Sequence, residues 1–530
     1  MEKMPSLSPK IPRRAIIAAS LGAVFEWYDF FLYGSLAVFL GQLFFPSDDP
    51  LSSLLITLAV FGAGFVVRPL GGAVFGYIGD KIGRKVAFLA TIITMGVSTA
   101  LIGVMPTYED IGILAPIILV LLRLMQGLAL GGEYGGAAIY VAEHVSPYRR
   151  GFYTSWIQTT ATLGFLISLV VILTCRQLMT ADDFKSWGWR IPFLFSLILL
   201  GISIYIRLKL KESPIFKKMQ QQGQLSTRPL KESFLNPANR YYLLLALVVT
   251  AGQGAICYAA QFYALIFLQN SMKLDMVTSY LLVGGAQIVA IPFFPLFGWL
   301  SDKFGRKIIL LAGFCIPAIT LMPAFEKLSQ YINPALVKAE QYFPIVLRTN
   351  PSCATECEEA VKFLNARGIS YEKSSVISDN ARILTLRIGG SQEIYSFEVD
   401  QWNNLLKQAG YPTAIDYQQI NYLGVMSILS FLMICVALVY APVGAFLVDI
   451  FPARIRYTSL SVTYHIGSGW FGGFMPFVAT ALISRTGDIH AGLWYPTIVA
   501  AIVFLLSIFL LSSRTISQRM MDDEKLRSPN

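Results

Sequence analysis

A short loop occurs twice in this sequence, each time between two long apolar segments. The copies are Gly76-Tyr-Ile-Gly-Asp80-Lys-Ile-Gly83-Arg84-Lys85 and Gly298-Trp-Leu-Ser-Asp302-Lys-Phe-Gly305-Arg306-Lys307, and they share the pattern G-x3-D-x2-G-R-K. Glycine allows helix ends to approach closely, and a carboxylate can accept hydrogen bonds from backbone N–H groups or from arginine. Two copies in register predict that the second half of the chain repeats the layout of the first.

The segments that flank these loops predict a polytopic membrane protein. The chain is 55% hydrophobic and 14% charged, with a mean hydropathy of +0.57, whereas soluble domains carry about 25% charged residues. A run of about 20 apolar residues can cross the hydrocarbon core of a bilayer as a helix. The first run, 15–45, is too long for the apolar core of a signal peptide, so we expect it to be retained as helix 1.

The distribution of basic residues predicts the orientation in the membrane. Most of the 42 Lys and Arg residues fall in alternate loops and near the two termini. Because cytoplasmic loops are enriched in Lys and Arg, both termini and both repeat loops are expected in the cytoplasm. This bias also explains the net charge of +10, and no basic patch interleaved with aromatic residues indicates nucleic acid.

Charged residues inside the apolar segments mark the candidate site. Glu26 and Asp29, followed by Tyr33, share one face of helix 1 near the middle of the membrane. The other residues of this kind are Arg68 in helix 2 and Arg123, Gln126 and Glu133 in helix 4. Depths counted along the helices predict two ion pairs, Arg123 with Glu26 or Asp29, and Glu133 with Arg68. Intramembrane charges are usually functional, and structural ion pairs are the alternative.

The repeat loops resemble the signature of the major facilitator superfamily between helices 2 and 3, with its weaker echo between helices 8 and 9. Three further stretches resemble its metabolite:proton symporter branch: Glu26-Trp-Tyr-Asp29-Phe, Arg68-Pro-Leu-Gly-Gly and Arg123-x2-Gln126-Gly-x3-Gly-Gly-Glu133-Tyr. Known members carry proline and betaine, alpha-ketoglutarate, citrate or shikimate. The resemblance implies an all-α polytopic membrane protein, with twelve transmembrane helices in two pseudo-symmetric six-helix bundles.

The hypothesis from these features is secondary active transport rather than enzyme activity. The chain would carry a small polar metabolite, an organic acid or a zwitterion such as proline or betaine, together with protons across the bacterial inner membrane. Arg123 would bind a carboxylate, and Glu26 or Asp29 would take the proton. Further polar candidates for this site are Gln158 in helix 5 and Tyr258 and Gln261 in helix 7.

Two alternatives to this hypothesis stay open. A drug/proton antiporter has the same fold, although helix 5 lacks the G-x-G-P-x2-G-G kink of that class. A receptor that uses an external segment to bind its ligand is the other. The chain has no Walker loop and only three dispersed histidines, so we expect no ATP coupling, metal or cofactor. The expected partners are the solute, protons and lipid, and the protein is expected to work as a monomer.

Ion pairs on the cytoplasmic side are predicted to hold the outward-open state and to break when the two halves rock. The candidate gating residues are Gly76, Asp80, Gly83, Arg84, Glu143, Arg149, Glu212, Asp302, Arg306, Asp449 and Arg454. Four glycines of helix 4 are expected to serve helix packing alone. They are Gly131, Gly132, Gly135 and Gly136.

The two halves differ in length because of an insert. Asp302 follows Asp80 by 222 positions, whereas Asp449 follows Glu143 by 306, so about 84 residues are added between helices 9 and 10. The expected units are the first bundle (1–210), a cytoplasmic linker (211–240), helices 7–9 (241–325), an external α/β insert (326–419), helices 10–12 (420–513) and a tail (514–530).

The insert is predicted to be a small α/β unit. Its strands are expected at 343–348, 383–388 and 394–399, and its helices at 354–367 and 401–408. The segment from Cys353 to Tyr371 faintly resembles the active-site helix of glutaredoxins, but its spacing is C-x3-C rather than C-x2-C. A packing role or a disulfide between Cys353 and Cys357 is therefore favoured over redox activity.

Overall fold

The computed structural model describes residues 13–47, 50–208, 212, 214–349, 355–375, 384–389 and 396–511. Within these residues, eleven helices are long and apolar enough to cross a membrane, and a bent pair makes a twelfth span. The bent pair is helix 1, whose two parts meet at 62° on either side of Leu36. The all-α polytopic fold predicted from the sequence is thereby confirmed.

The spans fall into two bundles of six. The first bundle contains helix 1 (Arg13–Ser35 and Ala37–Phe44), helix 2 (Pro50–Val66 and Arg68–Lys81), helix 3 (Arg84–Val104), helix 4 (Leu114–His144), helix 5 (Arg150–Leu178) and helix 6 (Arg190–Leu208). The second bundle contains helix 7 (Pro237–Ser271), helix 8 (Met276–Ala290 and Phe293–Phe304), helix 9 (Arg306–Ile332), helix 10 (Tyr422–Tyr440 and Val443–Ile450), helix 11 (Arg456–Thr486) and helix 12 (Trp494–Leu510). Two short helices, Pro214–Gln221 and Pro229–Leu235, lie between the bundles in the chain.

Several spans are interrupted next to a proline. Helix 2 breaks at Val67 beside Pro69, helix 8 breaks at Pro292, and helix 10 breaks at Pro442. Proline has no backbone N–H, and its ring clashes with the preceding turn of a helix. Helices 2 and 8 are equivalent in the two halves, and both break shortly before the repeated aspartate.

The bundle has two ends, which we name by what they carry. The loop face carries the two repeat loops, Gly76–Lys85 and Gly298–Lys307. The insert face is the opposite end, where a small α/β unit follows helix 9. In that unit, strands β1 (Ile345–Thr349), β2 (Glu372–Ser375) and β3 (Leu384–Ile388) form a sheet in the order β2-β1-β3. Strand β1 is parallel to β2 and antiparallel to β3.

The elements of the insert agree in part with those predicted. The structure has helices at Thr355–Ala366 and Val399–Gln408, close to the predicted ranges, and both β1 and β3 were expected. Strand β2 and the helix Pro334–Tyr342 were not expected. The predicted strand 394–399 is wrong over residues 396–399, which form a bend and the start of the helix Val399–Gln408, and residues 394–395 lie outside the described residues. Cys357 is disulfide-bonded, whereas Cys353 lies outside the described residues.

The insert packs on the ends of the second bundle. The backbone N–H of Tyr371 donates to the carbonyl of Gly487 at 3.1 Å, and the Tyr417 hydroxyl lies 3.1 Å from a carboxylate oxygen of Asp275. Within the insert, Leu347 and Trp402 are fully buried in a core of its own. The insert therefore has its own hydrophobic core and is attached to helix ends by polar contacts.

We predict that the folded insert is more stable in acid. Burial raises the pKa of Glu340, which accepts a hydrogen bond from the backbone N–H of Ser370 at 2.7 Å. A raised carboxyl pKa means that the folded state holds its proton more tightly, so stability falls as the pH rises through that pKa. Glu340→Gln keeps an acceptor without the charge. The melting temperature of the variant should be higher than that of wild type at pH 8 and equal to it at pH 4. A difference in melting temperature that does not change with pH contradicts the prediction.

The glycines of helix 4 allow it to touch helix 2, as expected. A Cβ at Gly131 would lie 2.1 Å from the carbonyl oxygen of Arg68, whereas one at Gly201 in helix 6 meets nothing within 4 Å. We predict that Gly131→Ala lowers the free energy of unfolding by about 1–3 kcal/mol because the helices must separate. Gly201→Ala should be neutral or stabilising. Thermal unfolding in detergent measures both, and equal effects would refute the packing role.

Candidate functional site

A single arginine of helix 6 pairs with two acids in the first bundle. Arg207 Nη2 lies 2.6 Å from Glu26 and 3.1 Å from Glu133. All three residues are at most 4% exposed. Arg207 reaches this position because helix 1 has Gly22 there, where a Cβ would lie 2.8 Å from the arginine Nε. Glu26 and Glu133 thus lie at one level, not at two separate depths as the sequence predicted.

The predicted ion pairs of Arg68 and Arg123 are both wrong. Neither arginine has an acidic partner among the described residues. Arg123 is fully buried and donates to Gln126 at 2.6 Å, while its Nε and Nη2 have no hydrogen-bond partner. Arg68 is 2% exposed, lies beside the Tyr258 hydroxyl, and leaves its own Nε and Nη2 without a partner. Depth along a helix does not fix the direction in which a side chain points, and helix 6 supplies a nearer cation for the acids.

Aromatic rings surround these two arginines. The guanidinium of Arg68 lies 3.8 Å from the centre of the Phe65 ring and 4.2 Å from that of Phe30. That of Arg123 lies 4.4 Å from the Tyr33 ring and 5.0 Å from Phe30. Phe30 therefore contacts both cations, which are close enough to repel one another. Cation–π contacts offset part of the cost of burying each charge.

Asp29 lies next to this region without a partner of its own. It is 4% exposed, and its Oδ1 receives no hydrogen bond from the described residues. Tyr33, on the same helix, donates to the carbonyl of Thr57 at 3.2 Å. The burial of Glu26, Asp29 and Arg123 shows that these charges face the protein interior rather than lipid.

Polar residues at the centre of the molecule join the two bundles. Gln158 donates to the hydroxyl of Tyr134 at 2.6 Å, and the Tyr134 ring stacks on Tyr464 with centres 3.8 Å apart. The Tyr464 and Tyr440 hydroxyls are 3.0 Å apart. Tyr134 and Tyr440 differ by 306 positions, the offset that relates the two halves here. Gln158 and Tyr464 share this offset, so equivalent positions meet near the pseudo-symmetry axis.

The two polar candidates of helix 7 have different surroundings. The Tyr258 ring lies 5.3 Å from Phe65 of the first bundle, in the arginine region. Gln261 instead donates to Gln287 of helix 8 at 3.3 Å, a contact within its own bundle. Tyr258 therefore faces the candidate site, whereas Gln261 connects helix 7 to helix 8 within the second bundle.

At the loop face, each repeat loop caps a helix of the opposite bundle. Asp80 accepts from the backbone N–H and the hydroxyl of Thr458 at 3.0 and 2.8 Å, near the start of helix 11. Asp302 accepts from the backbone N–H groups of Gly151 and Phe152, both at 2.8 Å, at the start of helix 5. The first four N–H groups of a helix lack partners within it, so a carboxylate there is strongly favoured. The repeated acid thus connects the two bundles twice.

Buried ion pairs add to these caps. Arg150 lies 2.7 Å from Asp449, which Arg306 also approaches at 3.4 Å. Arg306 also pairs with Asp302 at 2.6 Å. In the equivalent pair of the other half, Arg456 lies 3.3 Å from Glu143. Each of these cross-bundle pairs joins the acid at the end of helix 4 or 10 to the arginine that begins helix 11 or 5.

Two predicted gating arginines are not in this network. Arg149 is exposed, and the adjacent Arg150 forms the ion pair. The side chain of Arg454 is 54% exposed and pairs with Glu232 of the linker at 2.6 Å, while Arg456 is buried. The sequence contained a signal that separates these neighbours: Arg150 and Arg456 are 306 positions apart, whereas the positions equivalent to Arg149 and Arg454 are not basic.

The remaining gating candidates lie at the first repeat loop. Gly83 has a φ of +143°, and a Cβ there would lie 2.8 Å from a carboxylate oxygen of Glu212. Glu212 accepts from the backbone N–H of Lys85 at 3.2 Å. A Cβ at Gly76 would lie 3.0 Å from the Thr458 backbone. The side chain of Arg84 lies outside the described residues.

The insert face also has contacts between the bundles. The Tyr280 hydroxyl of helix 8 donates to the carbonyl of Ser35 in helix 1 at 2.6 Å, and Ile266 packs on Leu54 and Leu58 of helix 2. Contacts between the bundles at both faces describe an occluded state. Between the faces lies a small cavity, lined among others by Trp27, Arg68, Glu133, Tyr134 and His465.

Sequence reasoning missed Arg207 and His465. Arg207 ends helix 6 next to further basic residues, so it was indistinguishable from the basic flank of a membrane span. His465 is a single imidazole in an apolar helix, and it was considered only as a zinc ligand. Among the described residues, no group of three or more His, Cys, Asp or Glu could hold a metal ion.

This architecture, with two pseudo-symmetric bundles that bury charged residues between them, is that of a membrane transporter. A family model described as "Sugar (and other) transporter" matches residues 15–232, and one described as "MFS/sugar transport protein" matches 146–333. The chain is 35% identical over 375 residues to the shikimate transporter of Escherichia coli (strain K12). The aligned region covers 70% of this chain and 84% of that protein.

A second relative and a solved structure agree with this result. The proline/betaine transporter of Escherichia coli (strain K12) is 37% identical over 407 residues, 75% of this chain and 80% of that protein. The proton:xylose symporter XylE bound to 6-bromo-6-deoxy-D-glucose has the same fold, with a TM-score of 0.64 at 14% identity over 96% of this chain and 98% of that one. The chain belongs to the major facilitator superfamily. It is a multi-pass membrane transporter and not an enzyme.

Proposed function

We propose that the protein carries a small solute with a carboxylate group, an organic acid or a zwitterion, together with protons across the bacterial inner membrane. The loop face would lie in the cytoplasm. The observation that carries this proposal is the burial of Arg68 and Arg123 between the bundles with unpartnered guanidinium nitrogens and without an ion pair to any acid of the described residues.

The two arginines favour an anionic group on the solute. A buried cation without a counter-charge is costly, and two nearby cations repel each other. A carboxylate offsets both charges and accepts from the guanidinium nitrogens that have no partner. Lipophilic cations, the usual cargo of drug antiporters, would add to the repulsion. Shikimate, proline and betaine, which the relatives' names mention, all carry a carboxylate.

The rings beside the arginines favour a compact apolar or cationic body. Phe61 and Phe65 of helix 2 meet Phe262 and Tyr258 of helix 7 at centre distances of 5.7 and 5.3 Å. Aromatic faces pack on small rings and attract ammonium groups. The proposed site therefore suits a cyclic acid or a zwitterion better than an extended dicarboxylate.

The acids of helices 1 and 4 support proton coupling. Glu26 and Glu133 share one guanidinium, and Asp29 has no partner among the described residues. Three buried carboxylates with one arginine would leave uncompensated negative charge, which a bound proton reduces. A group that gives up this proton when water enters from the cytoplasm would couple proton flow to the solute.

Rocking of the two bundles would move the site between the membrane sides. The caps from Asp80 and Asp302 and the pairs Arg150–Asp449 and Arg456–Glu143 all cross between the bundles at the loop face. They would break when that face opens. The contacts of Tyr280 and Ile266 would break when the insert face opens.

The test is uptake into proteoliposomes with an inward proton gradient. The panel is radiolabelled shikimate, L-proline, glycine betaine, alpha-ketoglutarate and citrate, and accumulation of at least one is expected. In the double variant Glu26→Gln/Asp29→Asn, accumulation driven by the pH gradient should be lost while solute exchange without a gradient continues. If accumulation survives in this variant, the proton role of helix 1 is wrong.

We predict that Arg123→Gln raises the KM for the transported solute by about 10- to 100-fold. A hydrogen bond to a charged group contributes about 1.5–3 kcal/mol, which corresponds to this range. Arg123→Lys should be intermediate, because it keeps the charge but loses the planar fork. Arg485→Gln, at an exposed end of helix 11, is the matched control. An unchanged KM in Arg123→Gln would remove Arg123 from the site.

A further inference from the structure

We propose that His465 binds the carboxylate of the solute together with Arg68, and so gives the second bundle a polar contact with that carboxylate. This inference rests on the proposed function. It assigns a ligand position to the small cavity between Trp27, Arg68, Glu133, Tyr134 and His465.

The cavity joins the two bundles at one residue. All the residues that line it belong to helices 1, 2, 4 and 5, except His465 of helix 11. A ligand in this cavity would therefore contact the second bundle through His465. In a transporter that works by rocking, a ligand held by both bundles favours the occluded state over either open state.

The cavity collects polar atoms that lack partners. His465 is 2% exposed and lies against the backbone of Leu130 and Gly131 of helix 4, and neither ring nitrogen forms a well-aligned hydrogen bond there. Arg68 contributes two further nitrogens without a partner. Buried polar groups are nearly always satisfied, so such a cluster indicates a bound ligand or water. An imidazole N–H and a guanidinium are both donors, and a carboxylate can accept from both.

The local structure of helix 11 places the ring. His465 begins a π-helical stretch, His465–Gly472, and such wide turns occur frequently at functional sites. Gly473 follows, where a Cβ would lie 2.2 Å from the Phe65 ring of helix 2. The absence of a side chain there lets helix 11 approach helix 2, which carries Arg68.

The groups that face the ring make a carboxylate the preferred occupant. Arg68 approaches from helix 2, and Glu133 from helix 4 is already paired with Arg207. The remaining titratable neighbours are tyrosines, Tyr134 in the cavity wall and Tyr464 next in the chain. Arg68 is thus the cation around the ring that has no ion pair among the described residues, and it attracts an anion.

Transport by His465→Leu and His465→Asn tests the assignment, with shikimate and L-proline and their methyl esters as probes. His465→Leu should raise the KM for the free acid about tenfold or more and leave inhibition by the ester unchanged. His465→Asn, which can still donate, should recover part of the loss. His490→Asn, on the insert face beside Ser329, should behave as wild type. An unchanged KM for the acid, or equal weakening of acid and ester, would overturn the proposal.

A second measurement leaves His465 unsubstituted: it asks whether a bound solute protects the His465 ring from chemical modification. The chain has three histidines, so His144→Gln/His490→Gln leaves His465 alone to react with diethyl pyrocarbonate. During turnover, the acid that binds should slow modification of His465 and its ester should not. A bound acid that gives no protection, or a ring that never reacts, contradicts the assignment. If none of the panel solutes binds the wild-type protein, the proposed function fails first, and this inference fails with it.

Discussion

Replacing Arg207 with leucine is expected to abolish uptake and to lower the free energy of unfolding by about 3–5 kcal/mol, the cost of leaving a buried charge without its partner. Arg207 is the common partner of Glu26 and Glu133, at 2.6 and 3.1 Å. Without it, two buried carboxylates have no ion-pair partner among the described residues. The variant must bind extra protons or let water enter, and either change disrupts the occluded state.

Three companion variants make this prediction specific. Arg190→Leu changes a half-buried arginine at the other end of helix 6 and should cost about 1 kcal/mol or less. Arg207→Leu/Glu26→Gln/Glu133→Gln removes all three charges, so thermal stability should recover although proton-driven accumulation should not. Arg207→Lys should fold but transport poorly, since an ammonium keeps the charge but loses the hydrogen bond that Arg207 Nη1 donates to the carbonyl of Phe88 at 3.2 Å. If Arg207→Leu melts like wild type, the three residues do not form a charge cluster.

The sequence predicted the architecture because its signals are local or repeated. Apolar runs set the spans, and the repeated loops set the two halves. The difference between offsets of 222 and 306 located the insert. Asp80 and Asp302 were singled out by the repeat, and the structure places both on helix starts of the opposite bundle.

The arrangement of the site could not be predicted in the same way. Counting residues gives the depth of a backbone position in a helix, but Arg207 reaches the acids from a helix end that looked like a basic flank. Which bundle face a charge points to depends on how helices rotate and tilt against each other. That nitrogens of Arg68 and His465 lack hydrogen-bond partners can be recognised only when the positions of all neighbouring residues are known.

Leucine substitutions of neighbouring arginines at the loop face should differ sharply in how far they shift the equilibrium between the closed and the open loop face. Arg150→Leu and Arg456→Leu are expected to shift the equilibrium from the closed toward the open loop face by about 100-fold or more, because each leaves a buried carboxylate that has lost a partner. The neighbours Arg149→Leu and Arg454→Leu change side chains that are exposed, and exposed pairs contribute about 0–1 kcal/mol.

Thiol labelling measures this equilibrium. Ser155 is fully buried on helix 5 where it packs on Gly298 of helix 8, so a cysteine there, in a background without the four free cysteines, reacts only when the loop face opens. An impermeant maleimide should label Ser155→Cys much faster with Arg150→Leu or Arg456→Leu than with either neighbour. Equal labelling across the four variants would mean that the buried pairs do not hold this face closed. Because the buried arginines are 306 positions apart, similar effects of the two would also show that both halves contribute equivalent contacts to one closure.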